Sequence, residues 1–219
     1  MQVTRWDALI DRTRHDDLLF YSLTPEFLQV QRQIKQAIAA TVWPPDSSSF
    51  TIYPESGKRR GEGNGMKPIK EGFVSALAGM GWRLEVRAPA RTSFEDGTKG
   101  SRPGAFDCHY SFPDAASKPF VVEWETGNIS SSHRAINRMA LGILSNYISG
   151  GVLVVPSREL AQFLTDRVGN QPELEPYYQL WKEWTLAEDA YLGIVTVEHD
   201  QTSMNVPRIP KGNDGRALN

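Results

Sequence analysis

Residues 24–41, TPEFLQVQRQIKQAIAAT, place apolar side chains at roughly helical spacing, with Thr24 as a cap and Pro25 in the first turn, so they predict a helix that WPPDSSS then stops. Pro68 opens a second helical stretch, PIKEGFVSALAGM, which Gly81 ends. In WRLEVR, Trp82, Leu84 and Val86 alternate with charged residues, the pattern of a half-buried strand. After a Pro-, Gly-, Thr- and Ser-rich loop come AFDCHYS and PFVVEWET, two β-favouring runs separated by the turn-rich PDAASK, which read as an antiparallel meander. Ser130 to Ser132 are expected to cap a helix with Ile136, Met139, Ala140, Ile143, Leu144 and Tyr147 on one face, broken by Gly150 and Gly151. The unbroken apolar run GVLVVP reads as a central buried strand. A helix over 157–168, the acidic and aromatic ELEPYYQLWKEW, and a last strand, YLGIVTVEH, follow. This order predicts an α/β domain with a central mixed sheet of five to six strands flanked by helices on both faces. The Pro- and Gly-rich segment 205–219 shows no packing pattern and is expected to be a mobile tail.

Composition narrows the class. With 219 residues, 40% of them hydrophobic, the chain fits one domain over 1–219 that needs no disulfide. Cys108 is the lone cysteine, no Cys/His cluster suggests structural zinc, and no basic-then-apolar leader opens the sequence, so a reducing cytoplasm is the expected location. The longest apolar runs fall far short of the roughly 18 residues of a membrane helix, so no membrane partner is expected. Net charge is −2, which does not suggest a nonspecific polyanion coat. Residues 58–102 nevertheless carry ten Lys and Arg against five Asp and Glu, whereas the stretch after Gly150 carries ten acids against six bases. That asymmetry allows a basic face; a solvated Gly-rich loop, KRRGEGNG, explains it equally well. No G-x-x-x-x-G-K-[ST] pattern is present, and no nucleotide cofactor is expected.

Candidate chemistry lies in the meander. Asp107 falls in one of its strands and Glu123 and Glu125 in the next, where residues two apart share a face. If the strands pair, three carboxylates converge, an arrangement costly without a divalent cation and, with oxygen ligands alone, suited to magnesium. Spacing alone is also met by any solvated strand face. The flanks are more specific: the apolar FVV precedes the acids, and the polar TGNISSSHR follows them into a helix start able to meet phosphate and base edges.

With WPPDSSSFTI, NGMKPIKE, GAFD, EWETGNISSSHR, QFLTDRVGN, ELEPYY and NVPRIPKGNDG in this order, the sequence resembles the PD-(D/E)xK nucleases, and within them the BamHI-type restriction endonucleases. The resemblance covers most of the chain, and ETGNISS and LTDRV are its most specific parts. It implies a PD-(D/E)xK nuclease core, with Asp107, Glu123 and the backbone carbonyl of Trp124 as metal ligands. Glu125 stands where most of the superfamily has lysine and becomes the general base or water orienter. A carboxylate there cannot give positive charge to a phosphate, so magnesium, with manganese as a substitute, would carry the electrostatic stabilisation. A fourth acid of the pocket corresponds to Glu85, with Glu71 as competitor; paired with Arg83 or Arg87, Glu85 would be only a surface strand residue. Lys70 would contact phosphate. Asn128, Ser130, Arg134, Asp166 and Arg167 match base-reading positions, with chemistry suited to guanine, cytosine and adenine edges. Otherwise Asn128 is a left-handed turn residue, and Asp166 and Arg167 an exposed helix end.

As a set these matches imply hydrolysis of double-stranded DNA at the palindrome GGATCC, after the first G, leaving 5′ GATC overhangs. A palindrome cut on both strands calls for a homodimer. Its interface is expected around the helices of KPIKEGFVSALAGM and HRAINRMALGILSNYI, with His133 near it or else an ordinary helix-start histidine. Two alternatives stay open: a DNA-binding homologue that has lost catalysis, and a magnesium nuclease with another target.

Overall fold

The run at 150–156 does become the middle of a sheet, and the rest of the domain is arranged around it. The structure, a computed structural model, describes residues 1–14, 18–56, 63–87, 104–114, 116–165 and 168–211. Its elements are β1 (Gln2–Arg12), α1 (Pro25–Ala40), β2 (Thr51–Ile52), α2 (Lys67–Gly79), β3 (Arg83–Val86), β4 (Phe106–Tyr110), β5 (Phe120–Trp124), α3 (Ile129–Leu144), β6 (Gly150–Pro156), α4 (Arg158–Ala161), α5 (Gln171–Leu174), α6 (Tyr178–Lys182), β7 (Ala190–Glu198) and β8 (Gln201–Thr202). Six strands form one mixed sheet in the order β1-β7-β6-β5-β4-β3. The pairs β5·β6 and β6·β7 are parallel, whereas β3·β4, β4·β5 and β1·β7 are antiparallel. β2 and β8 make a small parallel pair beside it.

Two apolar clusters cover the two faces. Phe27, Val30 and Ile34 of α1 and Ile69, Phe73 and Leu77 of α2 pack with Phe120, Val122 and Trp124 of β5. On the other face Ile136, Met139 and Ile143 of α3 and Trp181 of α6 pack with Val121, Leu153 and Val155. Alternation along β5 divides its side chains between these layers, because successive residues of a strand point to opposite faces. Glu123 thus shares the α3 side, and Trp124 faces α2, its ring 4.6 Å from that of Phe73.

The structure corrects several expectations. β1 has no counterpart in the sequence reading; register shifts between Val3 and Arg5 and between Ala8 and Ile10 break its two-residue period, so that the neighbours Leu9 and Ile10 are both buried. Asn128, not Ser130 to Ser132, caps α3, its side chain accepting from the Ser130 N–H at 3.0 Å. The helix ends before Asn146, at φ 58, rather than at Gly150 and Gly151, which begin β6. A Cβ on Gly150 would lie 2.6 Å from the Tyr191 carbonyl oxygen, so glycine serves close strand packing there. The helix expected over 157–168 is only the single turn α4, after which Leu164 bridges to Asn64. Leu84 is 40% exposed, leaving β3 an open edge strand. Residues 205–211 are anchored through Ile209, which is buried, its N–H donating to Asn64 Oδ1 at 3.1 Å and its carbonyl accepting from Gly65 at 2.9 Å. The remainder of the expected tail, 212–219, lies outside the described residues.

Candidate active site

Where α2 and α3 approach the sheet from opposite faces, a cleft of about 240 Å³ opens, lined by Lys70, Asp107, Glu123, Trp124, Glu125, Gly127, Ser131, Arg134 and Arg138 among others. Antiparallel pairing of β4 with β5 brings Asp107 to the end of the ladder, where its Oδ2 accepts from the Trp124 N–H at 2.9 Å. Its Oδ1 accepts from Lys70 Nζ of α2 at 2.7 Å. Glu123, almost fully buried, is met by Arg138 of α3, whose Nε and Nη2 donate to Oε1 at 2.9 and 2.6 Å. Arg138 also lies over the Phe106 ring, 5.7 Å from its centroid. Glu125 follows the strand: its N–H donates to the Val154 carbonyl at 2.9 Å, and its carboxylate turns toward the start of α3. There Oε1 accepts from the Gly127 N–H at 2.6 Å and lies 2.9 Å from the Ser131 hydroxyl, while Oε2 accepts a short hydrogen bond from the Ser132 hydroxyl.

These surroundings set the protonation of the acids. Burial pushes the Glu123 carboxyl up to about 8; Arg138 pulls downward and Asp107 adds to the rise. Glu125 is also raised by burial, partly countered by the donors Ser132, Gly127 and Ser131. For Lys70 burial lowers the ammonium pKa, but the charge and hydrogen bond of Asp107 more than offset it, and the group stands above its ordinary value. Buried Cys108 has its thiol pushed far up and is inert as a nucleophile at neutral pH.

Among the described residues no three acidic, histidine or cysteine side chains already surround one point. The acids instead share the cleft and are held by cations and donors of the chain itself. Its donors fit a hard divalent cation, since the lining offers carboxylate and carbonyl oxygens and neither thiol nor imidazole. Asp107, Glu123 and the Trp124 carbonyl are the groups that could hold one.

The other expected site residues fall at several distances from this cleft. Glu85 is exposed, with a left-handed backbone at φ 51, and the β3·β4 pairing passes it by; its charge still reaches Lys70. Glu71 points away, ion-paired with Lys67 at 3.7 Å on the outer side of α2. Asn128 and Ser130 are exposed at the start of α3, and Asn128 takes no left-handed turn, its φ being −81. Arg134 reaches the cleft wall. Asp166 and Arg167 lie outside the described residues. His133 packs on Tyr177 and Trp181, with ring centroids 4.4 and 5.3 Å away. Arg138 has no part in the sequence reading, and Ser131 and Ser132 figure there only as helix caps; the spacing of Ser131, Arg134 and Arg138, three and four residues apart and so on one face of α3, is the signal that points to a shared cleft wall.

A mixed sheet with acids at the adjoining ends of β4 and β5, facing a polar helix start, is the arrangement of a PD-(D/E)xK nuclease core. Comparison with known proteins makes this particular. The sequence matches the family described as "Restriction endonuclease BamHI" over residues 1–216, and the chain belongs to that family. It is 46% identical over 194 residues to the type II restriction enzyme OkrAI of Oceanobacter kriegii, covering 89% of this chain and 92% of that protein. To the type II restriction enzyme BamHI of Bacillus amyloliquefaciens it is 34% identical over 189 residues, covering 85% and 82%. The crystal structure of restriction endonuclease BglII complexed with a DNA 16-mer matches with a TM-score of 0.55 over 90% of this chain and 79% of that one; at 13% identity this likeness concerns the fold alone. The protein is a type II restriction endonuclease, a site-specific deoxyribonuclease. No described helix is long and apolar enough to cross a membrane.

Proposed function

We propose that this protein cuts double-stranded DNA with magnesium at GGATCC, after the first G, as a homodimer. The observation that carries this reading is one cleft holding Asp107, Glu123 and Glu125 and running into the helix start that bears Asn128, Ser130 and Arg134. Magnesium, or manganese in its place, would be held by Asp107, Glu123 and the Trp124 carbonyl, with Glu85 nearby. When bound, it supplies Lewis acidity toward the scissile phosphate and the leaving 3′ oxygen.

The chain's own groups do the rest. A carboxylate offers about four lone-pair sites, and Glu125 already receives the Gly127 N–H and the Ser132 hydroxyl, with Ser131 close by, so it keeps acceptor capacity to align a water. Lys70 neutralises Asp107 and is assigned to a phosphate oxygen. Asn128, Ser130, Arg134, Asp166 and Arg167 are assigned to base edges: Arg grips guanine O6 and N7, and Asp accepts from cytosine N4.

For the homodimer the support lies on the outer surface of α3. Leu141 is 39% and Leu144 55% exposed, beside Ala140, Trp184 and Leu186 in a groove of about 440 Å³. Exposed apolar groups gathered this way are the mark of an interface. The outward residues of α2, Lys67, Glu71, Ser75 and Ala78, are charged or small, so α3 rather than α2 would supply the apolar core of the contact.

Digesting a plasmid of known sequence with magnesium and sequencing the ends tests the reading. Discrete 5′ GATC overhangs at GGATCC are expected; cuts at sites lacking GATC overturn it. Glu125→Lys is expected to lower the cleavage rate by at least about 100-fold, and Asp107→Asn to remove cleavage while leaving duplex binding in calcium intact.

A further inference from the structure

Glu125 is held from outside its own strand, and the groups that hold it belong to the segments assigned to DNA reading. Ser132, fully buried on the first turn of α3, donates its hydroxyl proton to Glu125 Oε2. Gly127 donates its N–H to Oε1 at 2.6 Å, and its carbonyl in turn accepts the Gly169 N–H at 2.8 Å. Ser131 is a weaker tie, since its single proton is shared between Glu125 at 2.9 Å and the Asn128 carbonyl at 2.6 Å.

Gly169 is pressed onto the same spot. A Cβ there would lie 2.5 Å from Ser132 Oγ and 3.3 Å from the Ile129 backbone, so the chain comes back to α3 at a distance that no side chain allows. Gly169 follows Arg167 by two residues in the sequence, and Asn128 and Ser130 flank Ile129. Both reading segments therefore meet at one buried hydroxyl, and that hydroxyl sits on the catalytic carboxylate. Displacement of either segment moves a donor of Glu125, whereas Asp107 and Glu123 are held by Lys70 and Arg138 and do not share these donors.

We infer that Ser132 is a positioning residue that orients Glu125, and that its close packing on Gly169, beside the Gly127–Gly169 hydrogen bond, ties this orientation to correct seating of the DNA-reading segments. This rests on the reading of Asn128, Ser130, Asp166 and Arg167 as base contacts. Removing the hydroxyl leaves an aligned metal site and an intact reading surface but a carboxylate held through Oε1 alone, with Oε2 without its Ser132 donor.

The experiment uses the full chain, its mapped recognition site, and a duplex altered at one base pair. Ser132→Ala is expected to slow single-turnover cleavage of the mapped site by about 10- to 100-fold, the usual size of such supporting contacts. The dissociation constant for that duplex in calcium is expected to stay within about twofold, because no group assigned to the bases is removed. Cleavage of the altered duplex is expected to fall less, narrowing discrimination. Ser131→Ala, which removes a shared proton, is expected to have a smaller effect on the rate. Cleavage by Ser132→Ala at the native rate overturns the proposal, as does parallel loss of binding, cleavage and melting temperature, the signature of a structural role alone. Asn128→Ala tests the underlying reading separately: unchanged binding discrimination there overturns the base assignment, while a slow Ser132→Ala variant with intact binding still establishes the positioning of Glu125.

Discussion

Glu125 adds a negative charge to the cleft, and the other two acids receive cations from helices: Lys70 on Asp107 at 2.7 Å and Arg138 on Glu123 at 2.6 Å. Arg138→Ala leaves Glu123 without its guanidinium, so urea unfolding of the metal-free protein above about pH 8, where the carboxyl is ionised, is expected to show a loss of about 3 to 5 kcal/mol, with Arg138→Lys keeping part of it. Glu123 also makes stability depend on pH. Its carboxyl is raised to about 8 by burial, so between its ordinary value of 4.5 and about 8 the folded protein keeps a proton that the unfolded chain has released. The contribution of this group to stability is therefore lost as pH rises through that window. Denaturation midpoints of the metal-free protein from about pH 5 to about pH 8.5 are expected to fall with a slope that Glu123→Gln flattens. If Glu123 holds magnesium as proposed, ligation needs its carboxylate and magnesium affinity is expected to rise over the same range. The strands of Asp107 and Glu123 were legible in the sequence because two β-favouring runs joined by a turn carry them, with Glu125 falling just past the end of β5. Arg138 was not, since the contact joins residues 15 apart through a helix packed across the sheet.

At the scale of elements, the reading succeeded where one period ran uninterrupted. α1 fits its expected span to within a residue at each end, with the Thr24 hydroxyl accepting from Phe27 at 3.2 Å as a cap should. β6 is central as its continuous apolar run implies. β1 escaped notice because its bulges shift the alternation twice, and the helix over 157–168 shrank to one turn because Leu164 is drawn into the core and pairs with Asn64. Gly150 and Gly151 looked like a break, yet they let β6 lie close to its neighbours. Gly150→Ala must push a methyl against the Tyr191 carbonyl and Phe120, 2.6 and 2.9 Å away, and is expected to cost about 1 to 3 kcal/mol in urea unfolding. An unchanged midpoint would mean that β6 and β7 can separate without loss.

For the whole molecule, the two faces of the sheet divide the work. The layer of α1 and α2 carries the larger core and brings Lys70 to the cleft. The layer of α3 and α6 brings Arg138 and the donors of Glu125, and leaves Leu141 and Leu144 exposed on its outside. If that outside is the homodimer contact, Leu144→Glu is expected to halve the mass seen by sedimentation equilibrium and to turn double-strand cleavage of a plasmid into slow nicking, with no large change in melting temperature of the monomer. A dimer that survives Leu144→Glu together with Leu141→Asp places the interface elsewhere. His133, expected near an interface, rests against Tyr177 and Trp181 of the same chain, and burial lowers its pKa.

By itself the sequence determined the α/β class, the strands that bear Asp107 and Glu123, and the family, because these depend on local periodicity and on motifs contiguous along the chain. Tertiary structure alone decided which charges meet those acids, that Glu85 is exposed on the edge strand and Glu71 faces away, that Ile209 anchors residues 205–211, and that Glu125 hangs from the base of α3. Each of these depends on where distant segments pack against the sheet, and a one-dimensional pattern of apolar and polar residues records which side of an element is buried but not what it is buried against. The carboxylates could be read from the chain; the cations and hydroxyls that govern them come from other layers of the fold.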